Sequence, residues 1–589
     1  MATETKVDVK LLQTLNSSTW TSSLLQGFLI GQRTESAIKI IGLARVLENT
    51  NVENYQAYVE NNLVGSVKIC GLVVQGKTEE PNQKIWNQLR SLDGLDTDDD
   101  LIVCFLNDKD KITDKSFYWL LPTDDAEPSQ AEVIVEETNI FSSSIITRIQ
   151  TEINLNILSR NGKITKSILN CEYEKLCDDI LESGSFVFSI DDGTVLISRD
   201  DIIGLKKNAT VSTLNEYLKT GKGQRSHQHE TLPMAVYQRL ACNNSTPTCA
   251  PFIHHRIGEE KCLTLNLQID VLCLIPMEQP IKDVYPILCK SICSQLEYMK
   301  TCLQEYQQGD KFYQPEVFHF QPKGTNFFLS VIYPKELTED FLQVKRRQLH
   351  DIFGLPLDCP MLRRSNRYIF YGEEINGGYI LNPHTAIVNN NPLKDSKFYL
   401  VEGNYTYHHY MQDKFDDNKW GCAYRSLQTL VSWFIFHGYT QKSVPSHREI
   451  QQALVDIGDK DVKFVESKKW IGSLEVSYCL EHLIGVTSKI LSVSTGAELA
   501  NKGRELANHF STQGTPIMIG GGVLAHTILG VNFSEVTGAL RFLILDPHFT
   551  GGENIREIID KGWCGWKGPE FWDQTAMYNM CLPQRPKAL

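Results

Sequence analysis

The stretch "DNKWGCAYRSLQTL", Asp417 to Leu430, seats one cysteine between a Trp-Gly pair and the opening of an amphipathic helix. Cys422 follows Asp416, Asp417 and Asn418, and Gly421 just before it lets the backbone turn tightly. A thiol at a helix N-terminus feels the positive end of the macrodipole and unpaired N–H groups, both of which favour thiolate. The position suits a nucleophile, and it equally suits a small buried residue. The rest of the chain has to decide between them.

A cysteine nucleophile needs a base, and the base needs a group that orients it. "FLILDPHF", Phe542 to Phe549, ends an apolar run with Asp546 and His548 two residues apart. In extended backbone their side chains leave one face, with Cα atoms about 6–7 Å apart. Pro547 fixes its own φ and biases Asp546 towards extended geometry. A second base is on offer in "GGGVLAHTILGV", where His526 opens another apolar strand about twenty residues before an acid. Spacing leaves both Cys422–His526–Asp546 and Cys422–Asp546–His548 open, with the local geometry favouring His548. The other reading of His526 is a core histidine beside the turn at Gly520, Gly521 and Gly522. Acyl transfer also needs donors for the developing oxyanion. The Cys422 N–H is one, and a phenol from "NYTYHHYMQD" (404–413) is another, although pattern favours no single tyrosine there.

Around these motifs the chain reads as an ordinary folded protein of several domains, with 42% apolar and 22% charged residues over 589 positions. Its formal charge is −13, from 58 basic and 71 acidic residues, and no long Lys/Arg cluster stands out, which argues against a nucleic-acid partner. No apolar run approaches the ~18–20 residues of a membrane span, and "MATETKVDVK" does not lead into a signal-peptide core. A cytoplasmic or nuclear chain is expected, or one held at a membrane by something else. The sixteen cysteines contain no CxxC pair, so most are read as free, small buried residues, and neither a metal nor a cofactor is expected.

Acidic loops at 91–100 and 122–132 flank "LIVCFL", which reads as a buried strand. With "GFLIGQR" and "SVKICGLVVQG" it gives the first 155 residues a strand-rich character. From 156 to 394 strand-like runs alternate with the helical "VYPILCKSICSQLEYMKTCLQEYQQ", and the Asn-, Gly- and Pro-rich stretch 376–397 reads as a linker. After 395 the helices come first, marked by the "SHRE" capping box at 446–449 and by Gly438 at a helix end. Three apolar runs, "TPIMIGGG", "AHTILGVNF" and "RFLILDPHF", then read as neighbouring antiparallel strands. The class is α+β, in three regions: 1–155, 156–394 and 395–589.

The stretches "YHHYMQDKFDDNKWGCAYRSLQTL", "WIGSLEVSY", "ELANHF", "GTPIMIGGGVLAHTILGV", "LILDPHFTG" and "KGWCGWKGPEFW" together resemble the peptidase domain of the cysteine proteases specific for the ubiquitin-fold modifier. The likeness covers 395–589, and "LHDIFGLPLDCPMLRRSNR" carries it further forward. It implies a papain-like fold in which Cys422 attacks, His548 is the base, Asp546 orients it and Tyr410 helps to bind the oxyanion, which decides against His526. It implies cleavage after the modifier's C-terminal glycine, in precursors and in conjugates on lysine. A glycine there suggests a narrow channel, for which Trp420 and Trp470 are wall candidates beside "GWCGW" (562–566). The Asp-Pro-His box also occurs in autophagy cysteine proteases, so a protease for another ubiquitin-like modifier is one alternative and a non-catalytic modifier-binding scaffold is another. For the front of the chain the family suggests an MPN-like domain without protease activity. "VKICGLVVQGK" has no histidine, and the His227–His229 pair has no following proline, so the metal ligand set of an active MPN protease is missing. By resemblance that region docks an adaptor that holds the enzyme at the endoplasmic reticulum.

Overall fold

The computed structural model describes residues 4–20, 23–34, 36–47, 52–76, 85, 89, 100–106, 111–120, 129–159, 163–206, 208–218, 231–238, 261–309, 311–370, 373, 377–387 and 392–587. The acidic stretches at 91–99 and 122–128 and the His227–His229 pair lie outside the described residues. The chain divides into two units, Met1–Pro356 with Arg367–Tyr371, and Leu357–Asn366 with Gly372–Leu589.

The first unit holds an eight-stranded mixed sheet drawn from residues 4–136 and a six-stranded sheet that begins with the strand Ser144–Ser159. All six residues of "LIVCFL" (Leu101–Leu106) are buried, as a strand covered on both faces requires. Ser144–Ser159 pairs antiparallel along its whole length with Lys261–Pro276. Residue 155 therefore falls inside a strand, and the second sheet starts before it. The helix Val284–Tyr306 buries Leu288, Ile292, Leu296, Met299 and Leu303 on one face, as its apolar spacing predicts.

In the second unit seven strands pair antiparallel throughout. The order across the sheet is Ser488–Val493, Tyr578–Pro583, Ile517–Gly521, Leu524–Phe533, Leu540–Leu545 and Cys564–Lys567, with Lys397–Leu400 paired to Leu524–Phe533. The three apolar runs read from the sequence are neighbours in it. The helix Cys422–Phe436 is buried on every face from Cys422 to Phe434 and packs on the strands Ile517–Gly521 and Leu524–Phe533. Gly438, at φ 72°, ends it in the left-handed conformation that glycine accepts without a Cβ clash. Leu430 is fully buried there, so its truncation to alanine would cost about 2–5 kcal/mol. The capping box at 446–449 forms: Ser446 Oγ accepts from Glu449 N at 3.3 Å, and Ser446 N donates to Glu449 Oε2 at 2.7 Å.

The expected linker is not a free connector. Tyr407 N donates to Ile380 O at 2.8 Å and Asn382 N to Tyr405 O at 3.1 Å, so residues 377–387 belong to the second unit's fold. Asn, Gly and Pro marked irregular backbone correctly, but irregular backbone can be fully hydrogen-bonded.

Candidate active site

Cys422 is the first residue of its helix, and no side chain caps the turn before it. Gly421 has φ −89°, a conformation open to any residue, so backbone freedom is not why glycine stands there. A Cβ on Gly421 would lie 2.5 Å from Asp417 Oδ2 and 2.6 Å from Asp417 Cβ; the requirement is close approach. The N-terminal turn thus brings the thiol to a buried place where only 8% of the residue is exposed.

The Asp-Pro-His turn leaves the strand Leu540–Leu545 and is fixed from several directions. Asp546 N donates to Trp563 O at 2.7 Å, and the Tyr407 hydroxyl donates to Asp546 O. Asp546 Oδ1 accepts both from His548 N at 3.0 Å and from His548 Nδ1 at 2.5 Å. That bond orients the ring and leaves Nε2 buried without a hydrogen-bond partner among the described residues. The Cys422 sulfur lies close enough for His548, the Tyr410 hydroxyl and the backbone of Ala525 all to favour its thiolate.

Burial would raise the thiol, but His548, Tyr410 and the Ala525 backbone together bring it below its ordinary value. Burial would likewise lower His548, yet Asp546 and the sulfur raise it to about 9. The two shifts have one origin, a thiolate and an imidazolium that stabilise each other.

Tyr410 stands edge-on to the His548 ring, with centroids 5.3 Å apart and planes at 89°. Its N–H donates to Pro547 O at 2.9 Å, which ties it to the Asp-Pro-His turn. Burial and the nearby sulfur push its hydroxyl up, so it keeps its proton and stays a donor. The Cys422 backbone N–H lies beside the same phenol and acts on it in the opposite sense, favouring its ionised form. Two donors thus converge beside the sulfur, where a tetrahedral intermediate would place its oxyanion.

The structure brings Cys422, His548, Asp546 and Tyr410 to one point. His526 comes close without joining them: its Nε2 is 3.7 Å from Asp546 Oδ2, and its ring centroid lies 5.3 Å from that of His548. Burial holds it down to about 4, so it is a neutral neighbour. The two wall candidates part company. Trp420 is buried, with its ring edge-on to Phe415, Tyr424 and His447. Trp470 is 54% exposed and donates its Nε1–H to Lys419 O at 3.2 Å, three residues before Cys422. In the "GWCGW" stretch Trp563 packs on Phe549 and Trp566 on Phe398.

Sequence reasoning missed the buried charges beneath the nucleophile. Asp417, read as a polar residue before a helix, is 0% exposed and holds Arg425 Nε at 2.6 Å and His447 Nε2 at 3.1 Å. The available signal was Arg425 itself, the one charge in a helix whose buried length is otherwise uncharged.

The ligand atoms of His526, Asp546 and His548 lie within 4.8 Å of one another, a grouping a cation could use. The His548–Asp546 hydrogen bond already engages the facing atoms of two of them, so the donor set fits acid–base work better than metal binding.

Residues 396–581 match the model of peptidase family C78, and residues 173–375 match that of the ubiquitin-fold modifier 1 specific protease 2 N-terminal region. Ufm1-specific protease 2 of Homo sapiens is 50% identical over 352 residues, covering 59% of this chain and 74% of that protein. The Danio rerio protein of the same name is 51% identical over 361 residues, 61% of this chain and 89% of that one. The crystal structure of UfSP from C. elegans aligns over the whole of both chains with a TM-score of 0.66 at 26% identity.

Proposed function

The chain belongs to the Ufm1-specific protease 2 family, within peptidase family C78, and from that premise we propose that its thiol chemistry runs through Cys422, His548, Asp546 and Tyr410. It is a papain-like cysteine peptidase that acts on Ufm1. The observation that carries the residue assignment is the His548 ring, bonded through Nδ1 to Asp546 and held protonated by that carboxylate and the nearby Cys422 sulfur.

In our reading the Cys422 thiolate attacks the carbonyl carbon of the modifier's C-terminal glycine, and the carbonyl π pair moves onto oxygen. The Tyr410 O–H and Cys422 N–H hold that oxyanion. As it collapses, the C–N bond breaks and the proton on His548 Nε2 goes to the leaving amine, either a precursor tail or a substrate lysine. His548, now neutral, takes a proton from water as its oxygen attacks the thioester. Collapse of the second intermediate breaks the C–S bond and restores the ion pair. Asp546 holds the ring in one tautomer through both steps.

The test is a Ufm1 probe with an electrophile in place of the terminal carboxylate. It should label Cys422 covalently, and labelling should vanish in Cys422→Ala and fall steeply in His548→Ala. Labelling at any other cysteine would refute the assignment.

For the first unit our reading is a partner-docking role that brings the enzyme to the endoplasmic reticulum. No described helix is long and apolar enough to cross a membrane, which is why a protein adaptor is invoked. The full chain should sediment with microsomes and lose that association when the membranes' exposed proteins are stripped by protease; retention on stripped membranes would sink the adaptor.

A further inference from the structure

The loop that carries Tyr410 is an unfavourable piece of backbone. Met411, Asp413 and Lys414 all have positive φ, 64°, 60° and 58°, without being glycine. Such a run persists only where its surroundings hold it. The Tyr410 N–H is held by Pro547 O, which leaves the other side of the loop to be fixed by something else.

Asp417 and Arg425 hold that side, beside Tyr379, whose hydroxyl donates to Asp413 Oδ1 at 2.5 Å, and Glu553, whose Oε1 accepts from Gln412 Nε2 at 2.6 Å. Asp417 Oδ1 accepts from Met411 N at 2.8 Å. Arg425 donates through one terminal nitrogen to Gln412 O at 3.0 Å and through the other to Asp413 Oδ2 at 3.2 Å. Three successive residues after Tyr410 are thus bonded to one ion pair, whose members are 0% and 1% exposed. The same Asp417 governs the nucleophile's turn: its carbonyl accepts from Gly421 N at 2.9 Å, and its side chain occupies the space a Cβ on Gly421 would need. His447 lies against the same carboxylate and, stacked on Tyr424, closes it from below.

We infer that Asp417, clamped by Arg425, is the positioning residue that holds the Tyr410 loop in register with the Cys422 turn, so that the two oxyanion donors converge. The inference rests on the reading of Tyr410 as an oxyanion donor. Asp417 touches neither sulfur nor substrate. Its contribution is exerted through Tyr410 and belongs to the transition state, so its loss should appear in kcat rather than in KM.

A double-mutant cycle on Ufm1 carrying a fluorogenic amide at its C-terminal glycine tests this, with active sites counted by the electrophilic probe so that unfolded molecules do not contribute. Asp417→Asn should lower kcat about 100-fold, the scale of one lost oxyanion donor, with KM within about twofold of the parent. Arg425→Lys, which keeps the charge but not the fork, should give an intermediate loss of about 10-fold. Tyr410→Phe with Asp417→Asn should be no worse than Tyr410→Phe alone by more than about threefold. Multiplication of the two losses in the double variant, a rise in KM at unchanged kcat, or collapse of the fold in both Asp417→Asn and Arg425→Lys would overturn the inference. Failure of the underlying reading looks different: Tyr410→Phe itself would then leave kcat unchanged.

Discussion

Each unit of this protein contains a histidine bound to an aspartate, and the two pairs have little else in common. In the first unit His319 Nε2 lies 3.2 Å from Asp270 Oδ1, and its Nδ1 lies 2.8 Å from Ser330 Oγ. Serine, histidine and aspartate are in contact, as in a hydrolase. Yet His319 and Ser330 are directly opposed on the two strands of the hairpin Pro315–Phe320 and Leu329–Pro334, and both are buried. Arg148 takes Asp270 in a two-pronged grip, Nε to Oδ1 at 2.8 Å and a terminal nitrogen to Oδ2 at 2.6 Å, and its guanidinium stacks on Phe370 at 3.9 Å. Burial would raise Asp270, but His319 and Arg148 hold it well below the carboxylate range. Its charge is spent on arginine. In the second unit no lysine or arginine among the described residues is paired with Asp546, its charge goes to the imidazole, and the imidazole's far nitrogen faces a sulfur at a helix start. The same residue types make a brace in one place and an ion-pair nucleophile in the other, and what differs is who else holds the carboxylate.

The most severe way to break that contrast is to remove the two candidate nucleophiles. Cys422→Ser should abolish Ufm1 cleavage while retaining Ufm1 binding, because an alcohol at that site has neither the acidity nor the nucleophilicity of the thiol. Ser330→Ala should leave turnover unchanged. Parallel rate and binding titrations check both, and turnover by Cys422→Ser or its loss in Ser330→Ala would reverse the assignment of roles. The next step neutralises each aspartate. Asp546→Asn should cost about 10²–10⁴ in kcat, the scale of a lost orienting carboxylate, with little change in denaturant midpoint. Asp270→Asn should do the converse: turnover per folded molecule is kept and stability falls by about 2–3 kcal/mol, discounted from a fully buried pair because Asp270 is 18% exposed.

Why the first unit's triad drew no attention in the sequence while the second's did is a matter of range. Asp546 and His548 are two residues apart, and Cys422 carries its helix start beside it, so local rules reach them. Capping at Ser446 and the stop at Gly438 were legible for the same reason. The choice between His526 and His548 was not, because strand pairing that sets Thr527 opposite Leu545 brings both imidazoles onto one carboxylate. Among Tyr405, Tyr407 and Tyr410 all are buried, and only the bond from Tyr410 N to Pro547 O picks out the one beside the sulfur. Arg425 stayed hidden because a helix buried on every face shows no stripe from which to place a charge, and Asp417, five residues before that helix, stayed hidden with its partner. His319 and Asp270 sit 49 positions apart on different sheets, beyond any local pattern.

The pH profile sharpens the contrast at a smaller scale. On the proposed mechanism the second unit's pair works only with sulfur ionised and imidazole protonated. Activity should therefore rise with pH as the thiol ionises, hold across neutrality, and fall as His548 loses its proton near about 9, because the leaving amine then lacks an acid. Above that point kcat/KM should drop about tenfold per pH unit. Asp546→Asn removes the bond that raises His548, so its alkaline limb should move to lower pH, whereas Asp270→Asn should leave the limb where it was. An alkaline limb insensitive to Asp546→Asn would separate the carboxylate from the acid.

The smallest effect is expected at His526, and it is the one that decides between the two triads the sequence left open. His526 lies beside Asp546 at 3.7 Å, with its ring edge-on to Phe571 and Trp572, 95% buried. With burial holding it near about 4, it carries no charge at working pH and cannot serve as the acid for a leaving amine. Its interaction with Asp546 is longer than the 2.5 Å bond from His548 and falls on the other carboxylate oxygen. Replacing it by glutamine keeps a polar group near that oxygen, so kcat should fall by no more than about threefold, against a loss of about 10²–10⁴ for His548→Ala. The alkaline limb should stay with His548. If instead His526→Gln is as damaging as His548→Ala at unchanged stability, then Asp546 serves two imidazoles in turn, and the contrast with Asp270 lies in how many bases share the carboxylate rather than in the absence of a bonded arginine.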